Sequence, residues 1–399
     1  MDIELRSITD DEYEAWTRAD SRAFGSHVDE RDIALGRPIS APDRSVAAFE
    51  GGQIAGGVHS ITLRMAVPGG EEMPVAGVGP VFVQPTHRRR GILTRMTDHQ
   101  LRDIHERGEP LAALFAAESI IYGCFGYGTG SFHESWSIDR PHTAYARPFE
   151  PGGRAAFVQP EEIKFLFPEV FRRATESRPG APQRPDLDWD LIVADPEHRR
   201  RGRSAYFHVV YEQQDQVDGY VSYRTRGDNL LVQELMAATD EAHAALWRFC
   251  FDMDLMSVTK AEDRPVDDPL PWMLADPRRL KRSPQDGMWL RLVDVPAALS
   301  GRRYMQSGRL VLEVRDGFCP WNDGRYELDG GPEGAVCRTS EASPHLILSA
   351  ADLASAYLGA VRFTTLAHAG RVEERTPGAL RRADAMFATE LAPWCPYAF

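Results

Sequence analysis

The sequence predicts an α/β protein built on mixed sheets and laid out in three successive blocks, residues 1–150, 151–290 and 291–399. Three observations carry that expectation. At 399 residues the chain exceeds one typical domain. Its first third alternates strand-like and helix-like periods. And the string His87-Arg-Arg-Arg-Gly91 recurs as His198-Arg-Arg-Arg-Gly202, 111 residues later, which suggests a duplicated fold.

In the first block, Thr9-Asp-Asp-Glu12 is a capping-box pattern opening a helix that carries Tyr13, Trp16 and Phe24. Residues 44–49 and 54–67 read as strands joined at Glu50-Gly-Gly52, and a second break at Pro68-Gly-Gly70 leads into a strand ending at Val83. That strand is written by β-branched Val78, Val81 and Val83 with aromatic Phe82, and Pro85, which cannot donate to a ladder, closes it. A basic turn follows, and then a helix from Gly91. Ile92, Leu93, Met96, Leu101 and Ile104 keep a 3.6-residue period up to the stop at Gly108 and Pro110. Unpaired N–H groups at such a helix start, the positive end of its dipole and three arginines would hold a diphosphate. The alternative is a basic turn on a solvated face. A short buried strand at 111–116 and a helical turn at 119–125 complete the block.

In the second block, Ser204-Ala-Tyr-Phe-His-Val-Val-Tyr211 should be a strand, being rich in aromatic and β-branched residues. Both arginine strings are expected to follow an apolar strand and a proline, but the second has no helix behind it and so lacks the donors a diphosphate needs. The second block therefore reads as a degenerate copy, with coincidence in an Arg-rich chain as the rival. The Pro-rich stretch 178–185 is expected to be an exposed loop. In the third block, 309–315 and 345–348 look like strands, and Ser349-Ala-Ala-Asp352 caps a short helix ending at Gly359. Pattern alone gives this block only as α+β.

Hydrophobic content of 43% with 26% charged residues is globular, and no apolar run is long enough to span a membrane. The opening Met-Asp-Ile-Glu-Leu has neither a basic nor an apolar leader region, so cytoplasm is the default. Five scattered cysteines without a C-x-x-C pair imply neither a disulfide framework nor a metal site. A net charge of −13 opposes binding to nucleic acid. It favours cationic ligands: Asp10, Asp11, Glu12, Glu14, Asp20, Asp29, Glu30 and Asp32 either concentrate such a ligand or form an ordinary solvated face. The end of the chain, Ala392-Pro-Trp-Cys-Pro-Tyr-Ala-Phe399, carries three large aromatics and two prolines and should be docked rather than frayed. Leaving Trp394, Tyr397 and Phe399 in water would forfeit roughly 1.5–3 kcal/mol per side chain.

Arg88-Arg-Arg-Gly-Ile-Leu93 after a Val-rich strand resembles the acyl-CoA loop of GNAT N-acetyltransferases, with Leu93 departing from the usual small last residue. Together with Ile121-Tyr-Gly-Cys-Phe-Gly-Tyr127 and the aromatic end, nearly the whole chain is similar to the narrower Eis family, where a larger residue at that place is normal. The resemblance implies tandem GNAT-like domains, the first catalytic and the second degenerate, followed by a sterol-carrier-like α/β domain. It implies acetyl-CoA as co-substrate, held by Val81, Phe82, Val83, Arg89, Arg90, Gly91, Ile92, Leu93, Thr94, Ala117 and Glu118, with no metal. Tyr122, with Tyr127 as competitor, would protonate the leaving thiolate, and the terminal carboxylate of Phe399 would be the base. The implied reaction is direct acetyl transfer in a ternary complex to amines of a polycationic, aminoglycoside-like small molecule or to lysine side chains, in a homo-hexamer. The rival is a non-catalytic acyl-CoA- or lipid-binding protein on the same scaffold.

Overall fold

The computed structural model describes residues 3–37 and 41–399, so Met1 and Asp2 of the opening segment lie outside it. These residues form two compact units: Met1–Ser131 with Met288–Glu390 and Ala398–Phe399, and Phe132–Gly287 with Leu391–Tyr397. The cuts thus fall at 131/132 and 287/288, where the sequence puts block edges at 150 and 290. Strand pairing is the reason. Phe132–Asp139 bonds to Val258–Pro265 and Lys281–Asp286 in the second unit, while Met288–Leu292 bonds to Leu111–Phe115 in the first. Among the described residues no helix is long and apolar enough to cross a membrane.

The first unit contains a seven-stranded mixed sheet: β1 (Glu4–Ser7), β2 (Ser45–Glu50), β3 (Gln53–Ala66), β4 (Glu72–Val83), β5 (Leu111–Phe115), then Met288–Leu292 and β6 (Gly128–Thr129). All neighbours are antiparallel except β4 and β5. The period of two in β2 divides its side chains between two helices. Ala47 and Phe49 meet Trp16 and Ala19 of α1 (Tyr13–Ala23), with Phe82, on one face. Val46 and Ala48 meet Met96 on the other, whose helix, Ile92–Glu106, is the one expected after Gly91. Thr9 and Glu12 form the expected capping box, but α1 ends at Ala23, which leaves Phe24 beyond it and 58% exposed. The same unit holds a five-stranded sheet in the order Gly334–Thr339, Gly324–Gly331, Gly308–Arg315, Leu346–Ser349, Val372–Glu374. Ser349 caps the helix Ala350–Tyr357 as the sequence indicates.

The second unit has its own seven-stranded sheet, whose one parallel pair is Asn229–Ala237 with Val258–Pro265, linked by the helix Asp240–Asp252. This strand–turn–helix–strand repeats the β4–turn–helix–β5 order, and it relocates the duplicated turn. The counterpart of the first arginine turn is Ala238–Thr239, not His198–Gly202. The latter leads into the strand Phe207–Gln213, as expected, but is preceded by the helix Asp186–Ala194 rather than by a strand. Acidic Asp186 and Asp188 in the first turn suit the positive end of a helix, and Trp189 buries its one large side chain. At the true counterpart, Thr239 accepts from the Ala242 N–H at 3.2 Å and Asp240 and Glu241 follow, so the helix start is capped and acidic.

Parallel pairing there ends at Val232 and Ala261, and the strands diverge. The freed carbonyls are taken by side chains. Arg264 Nη1 donates to the Leu235 carbonyl at 3.0 Å, and Trp394 Nε1 donates to that of Asp263 at 2.8 Å. Trp394 belongs to the docked tail, in which Pro393, Trp394, Cys395 and Pro396 are all buried. Its N–H donates to the Pro179 carbonyl at 2.9 Å, and the Tyr397 hydroxyl donates to that of Gln183 at 2.8 Å. The stretch 178–185 is therefore a loop, but Pro179 to Pro182 are buried rather than exposed, because the tail lies on them.

Trp394→Ala removes a buried aromatic with a backbone bond and should cost about 3–5 kcal/mol. The expected readout is a lower urea midpoint for the loss of near-ultraviolet dichroism, and an unchanged midpoint would show that the tail does not anchor there.

Candidate active site

The pairing of β4 with β5 runs from Val75 opposite Leu111 to Val78 opposite Leu114 and then stops. Beyond it β4 stays bonded to β3 through Val81, Phe82 and Val83, opposite Val58, Gly57 and Gly56. From Gly79 onward the edge of β4 toward β5 carries no ladder. A cleft of about 540 Å³ opens along this divergence. It is lined by β4 from Val78 to Val83, by the turn and helix start at Arg88, Arg89 and Gly91 to Thr94, and by Phe115, Ala117, Glu118, Ile121 and Tyr122 opposite.

The turn is fixed from below. Gln84 is buried; its Nε2 donates to the Ala19 carbonyl at 2.6 Å and its Oε1 accepts from Arg22 Nε at 2.8 Å. Arg89 and Gly91 then adopt left-handed backbone, at φ 63° and 74°. Only glycine does so freely. At Gly91 this lets the chain enter α2 (Ile92–Glu106) with no side-chain cap, and the first helical bond is Arg95 N–H to the Gly91 carbonyl at 3.1 Å. The N–H groups of Ile92, Leu93 and Thr94 precede that bond and point out of the helix start. Unpaired N–H groups at a helix start are an arrangement suited to binding a phosphate.

Arg90 departs from expectation. It is absent from the cleft wall and instead pairs with Glu50, together with His87 Nε2 at 3.0 Å from the same carboxylate. The Arg90 hydrogen bond, then its charge, hold the Glu50 carboxyl down to about 2. The arginines facing the cleft are Arg88 and Arg89, and Arg88 also donates to the Ala23 carbonyl at 3.2 Å. The cleft also gains Phe24 and Phe115, neither expected at the site from the sequence.

Tyr122 closes a single helical turn, Ser119–Tyr122, that follows β5. Its half-buried phenol lines the cleft, and burial raises its pKa, so it is a protonated donor at neutral pH. Tyr127 lies 6.0 Å away between ring centroids, is 1% exposed and lines no part of the cleft. Of the two tyrosines, Tyr122 alone lines the cleft. Phe399 packs edge-on against Phe115, with ring centroids 5.3 Å apart, and lies directly on Gly77 of β4. A Cβ at Gly77 would sit 2.7 Å from the Phe399 ring, and one at Gly79 would sit 3.9 Å from the Phe399 main-chain oxygen. The chain end is thus beside the residue at which β4 loses its β5 partner.

The acidic residues of the N-terminal segment are mostly engaged by neighbours: Glu12 by Arg6, Glu14 and Glu30 by Arg18. Asp10, Asp11, Glu14 and Glu30 are exposed. Asp20 differs, since its Oδ1 has no partner and burial raises its pKa to about 6.

Two models described as acetyltransferase (GNAT) domain match residues 4–130 and 180–292, and one described as sterol carrier protein domain matches 295–396. A relative from Streptomyces avermitilis, known as an uncharacterized N-acetyltransferase, is 39% identical over 100% of both chains. N-acetyltransferase Eis of Mycobacterium bovis is 34% identical over 98% of each. The crystal structure of Eis1 from Mycobacterium abscessus superposes with a TM-score of 0.85 at 34% identity, covering 100% of both chains.

Because the helix after β4 starts uncapped whereas its counterpart in the second unit is capped by Thr239, and the second arginine string adjoins neither, the two strings should differ in a binding experiment. Arg89→Ala is expected to weaken acetyl-CoA binding by about 10- to 150-fold, from one charge-assisted phosphate bond of roughly 1.5–3 kcal/mol. Arg199→Ala with Arg200→Ala should leave the titration calorimetry nearly unchanged. Equal losses from both would return a binding role to the second string.

Proposed function

This chain belongs to the Eis family of GNAT N-acetyltransferases, and on that premise we propose that it transfers acetyl directly from acetyl-CoA to the amine of a cationic small molecule or a lysine side chain within one ternary complex. The chain is an N-acetyltransferase, and acetyl-CoA is the co-substrate that its GNAT fold implies. The observation that carries the finer reading is the convergence at the open edge of β4: an uncapped helix start, a cleft-lining phenol and the chain terminus all flank residues 77–83.

In this reading the N–H groups of Ile92 to Thr94, with Arg88 and Arg89, hold the diphosphate, and the unladdered edge of Gly79 to Val83 bonds the pantetheine amides as a further strand would. The neutral amine nitrogen bonds the thioester carbon and, as it becomes cationic, sheds one proton to the carboxylate of Phe399, directly or through one water. The carbon–sulfur bond breaks, and Tyr122 protonates the departing sulfur. An α-carboxyl is a weak base, about 3.5 in water, so desolvation beside Phe115 and Gly77 has to raise its proton affinity. The second GNAT-like domain is degenerate: its diverging strands have their carbonyls occupied by Arg264 and Trp394, and its helix start is capped by Thr239. By the same family likeness the reading includes a homo-hexamer working in the cytoplasm, with aminoglycoside-like acceptors. A purely lipid- or acyl-CoA-binding role would need neither a phenol on the cleft wall nor the chain terminus beside β4.

Tyr122→Phe should lower kcat by 10²-fold or more on the scale of about 10²–10⁴ for general acid catalysis, with the KM for acetyl-CoA within twofold. Free-thiol release measures this, and full activity there with loss in Tyr127→Phe would transfer the acid to Tyr127.

A single glycine appended after Phe399 displaces the carboxylate by about 3.3–3.6 Å and leaves every side chain in place. Turnover should collapse while calorimetric acetyl-CoA binding persists. Unchanged turnover would make the tail structural, and Asp20 would be the next carboxylate to replace.

A further inference from the structure

Beneath the turn that carries Tyr122 lies a buried ion pair that the reaction as described does not use. Arg291, on the strand Met288–Leu292, is 0% exposed and pairs with Asp316, itself 4% exposed. Such a pair is a weak source of stability, since apolar residues of equal volume would usually serve as well or better. Its better-attested use is to specify one arrangement. The arrangement fixed here is the turn from Tyr122 to Tyr127.

The turn is made by two backbone bonds, Gly126 N–H to the Gly123 carbonyl at 3.1 Å and Tyr127 N–H to the Tyr122 carbonyl at 3.2 Å. Gly126 sits at φ 84°, and the Arg291 guanidinium lies flat against it: a Cβ there would be 2.6 Å from Arg291 Cζ. Asp316 holds the guanidinium and also builds the neighbouring support. Its Oδ1 accepts the N–H groups of Phe318 at 3.2 Å and Cys319 at 2.9 Å. Phe318 in turn packs edge-on against Phe125 of the turn, 4.9 Å between centroids. Asp316 thus controls both supports of the Tyr122 turn, one ionic and one aromatic, and it stands just outside the GNAT match, in the sterol-carrier-like segment.

We propose that Arg291, oriented by Asp316, is a positioning residue that holds the Gly123–Gly126 turn and so aims the Tyr122 phenol at the leaving sulfur. This rests on the reading of Tyr122 as the acid. Lysine at 291 keeps the charge for Asp316 but loses the flat face against Gly126.

The test is a double-mutant cycle on the intact chain, with turnover followed by thiol release and the KM for acetyl-CoA recorded throughout. Arg291→Lys should lower kcat at least tenfold with KM within twofold, and in the Tyr122→Phe background the same substitution should change kcat less than twofold. A full loss in both backgrounds, or no loss in either, overturns the proposal. An impaired Tyr122→Phe with additive loss overturns the positioning role alone, whereas a fully active Tyr122→Phe removes the acid reading beneath it. Should Arg291→Lys not fold, Gly126→Ala presses on the same contact from the other side, displacing the turn and the guanidinium from each other while both charges remain, and its kcat loss should likewise vanish when Tyr122 is already Phe.

Discussion

Four parallel residue pairs between β4 and β5, and the divergence after them, are the constraint on which the rest of the site depends. A backbone edge near the interior must find partners. Here it is left open to a cleft, while β3 holds its other side in register. The helix start lies just past the open end of β4, and the Tyr122 turn just past the end of β5. Both follow from the short connections after each strand.

The second unit is the natural comparison, because it repeats the same order of elements and diverges in the same way after Val232 and Ala261. What differs is whether the freed groups are already satisfied. Arg264 and Trp394 take the Leu235 and Asp263 carbonyls, and Thr239 takes an N–H that in the first unit points at the cleft. With these three side chains in place the splay keeps a cavity of about 190 Å³, against about 540 Å³ in the first unit. The arginine string at 198–202 has no part in this, since it lies elsewhere in the topology.

Much of this was legible because it is local. Val78 to Leu93 spell strand, turn and helix within sixteen consecutive residues, and the docking of the tail follows from its aromatic content. The errors have the opposite cause. The two arginine strings match by letter, and only strand order shows that their places differ. Arg90 looked equivalent to Arg89 until Glu50, forty residues away, claimed it. The cuts between the two compact units differ from the block edges at 150 and 290 because Phe132–Asp139 and Met288–Leu292 each belong to a sheet built mostly from distant sequence. Arg291 carried no local signal, since its partner and its load are both contacts made only in the fold.

The glycines of β4 show how closely the reacting end is specified. A strand of valines would be stiffer and would bury more apolar area. Yet Gly77 is occupied on its open side by the Phe399 ring, and any side chain there would expel it. The loss of strand propensity at Gly77 and Gly79 is therefore the cost of bringing a chain terminus onto the strand whose open edge lines the cleft. A base delivered by a side chain would need no such gap. A base delivered by a main-chain carboxylate does, because its position is set by how near the last residue's backbone can approach, and glycine opposite allows the nearest approach.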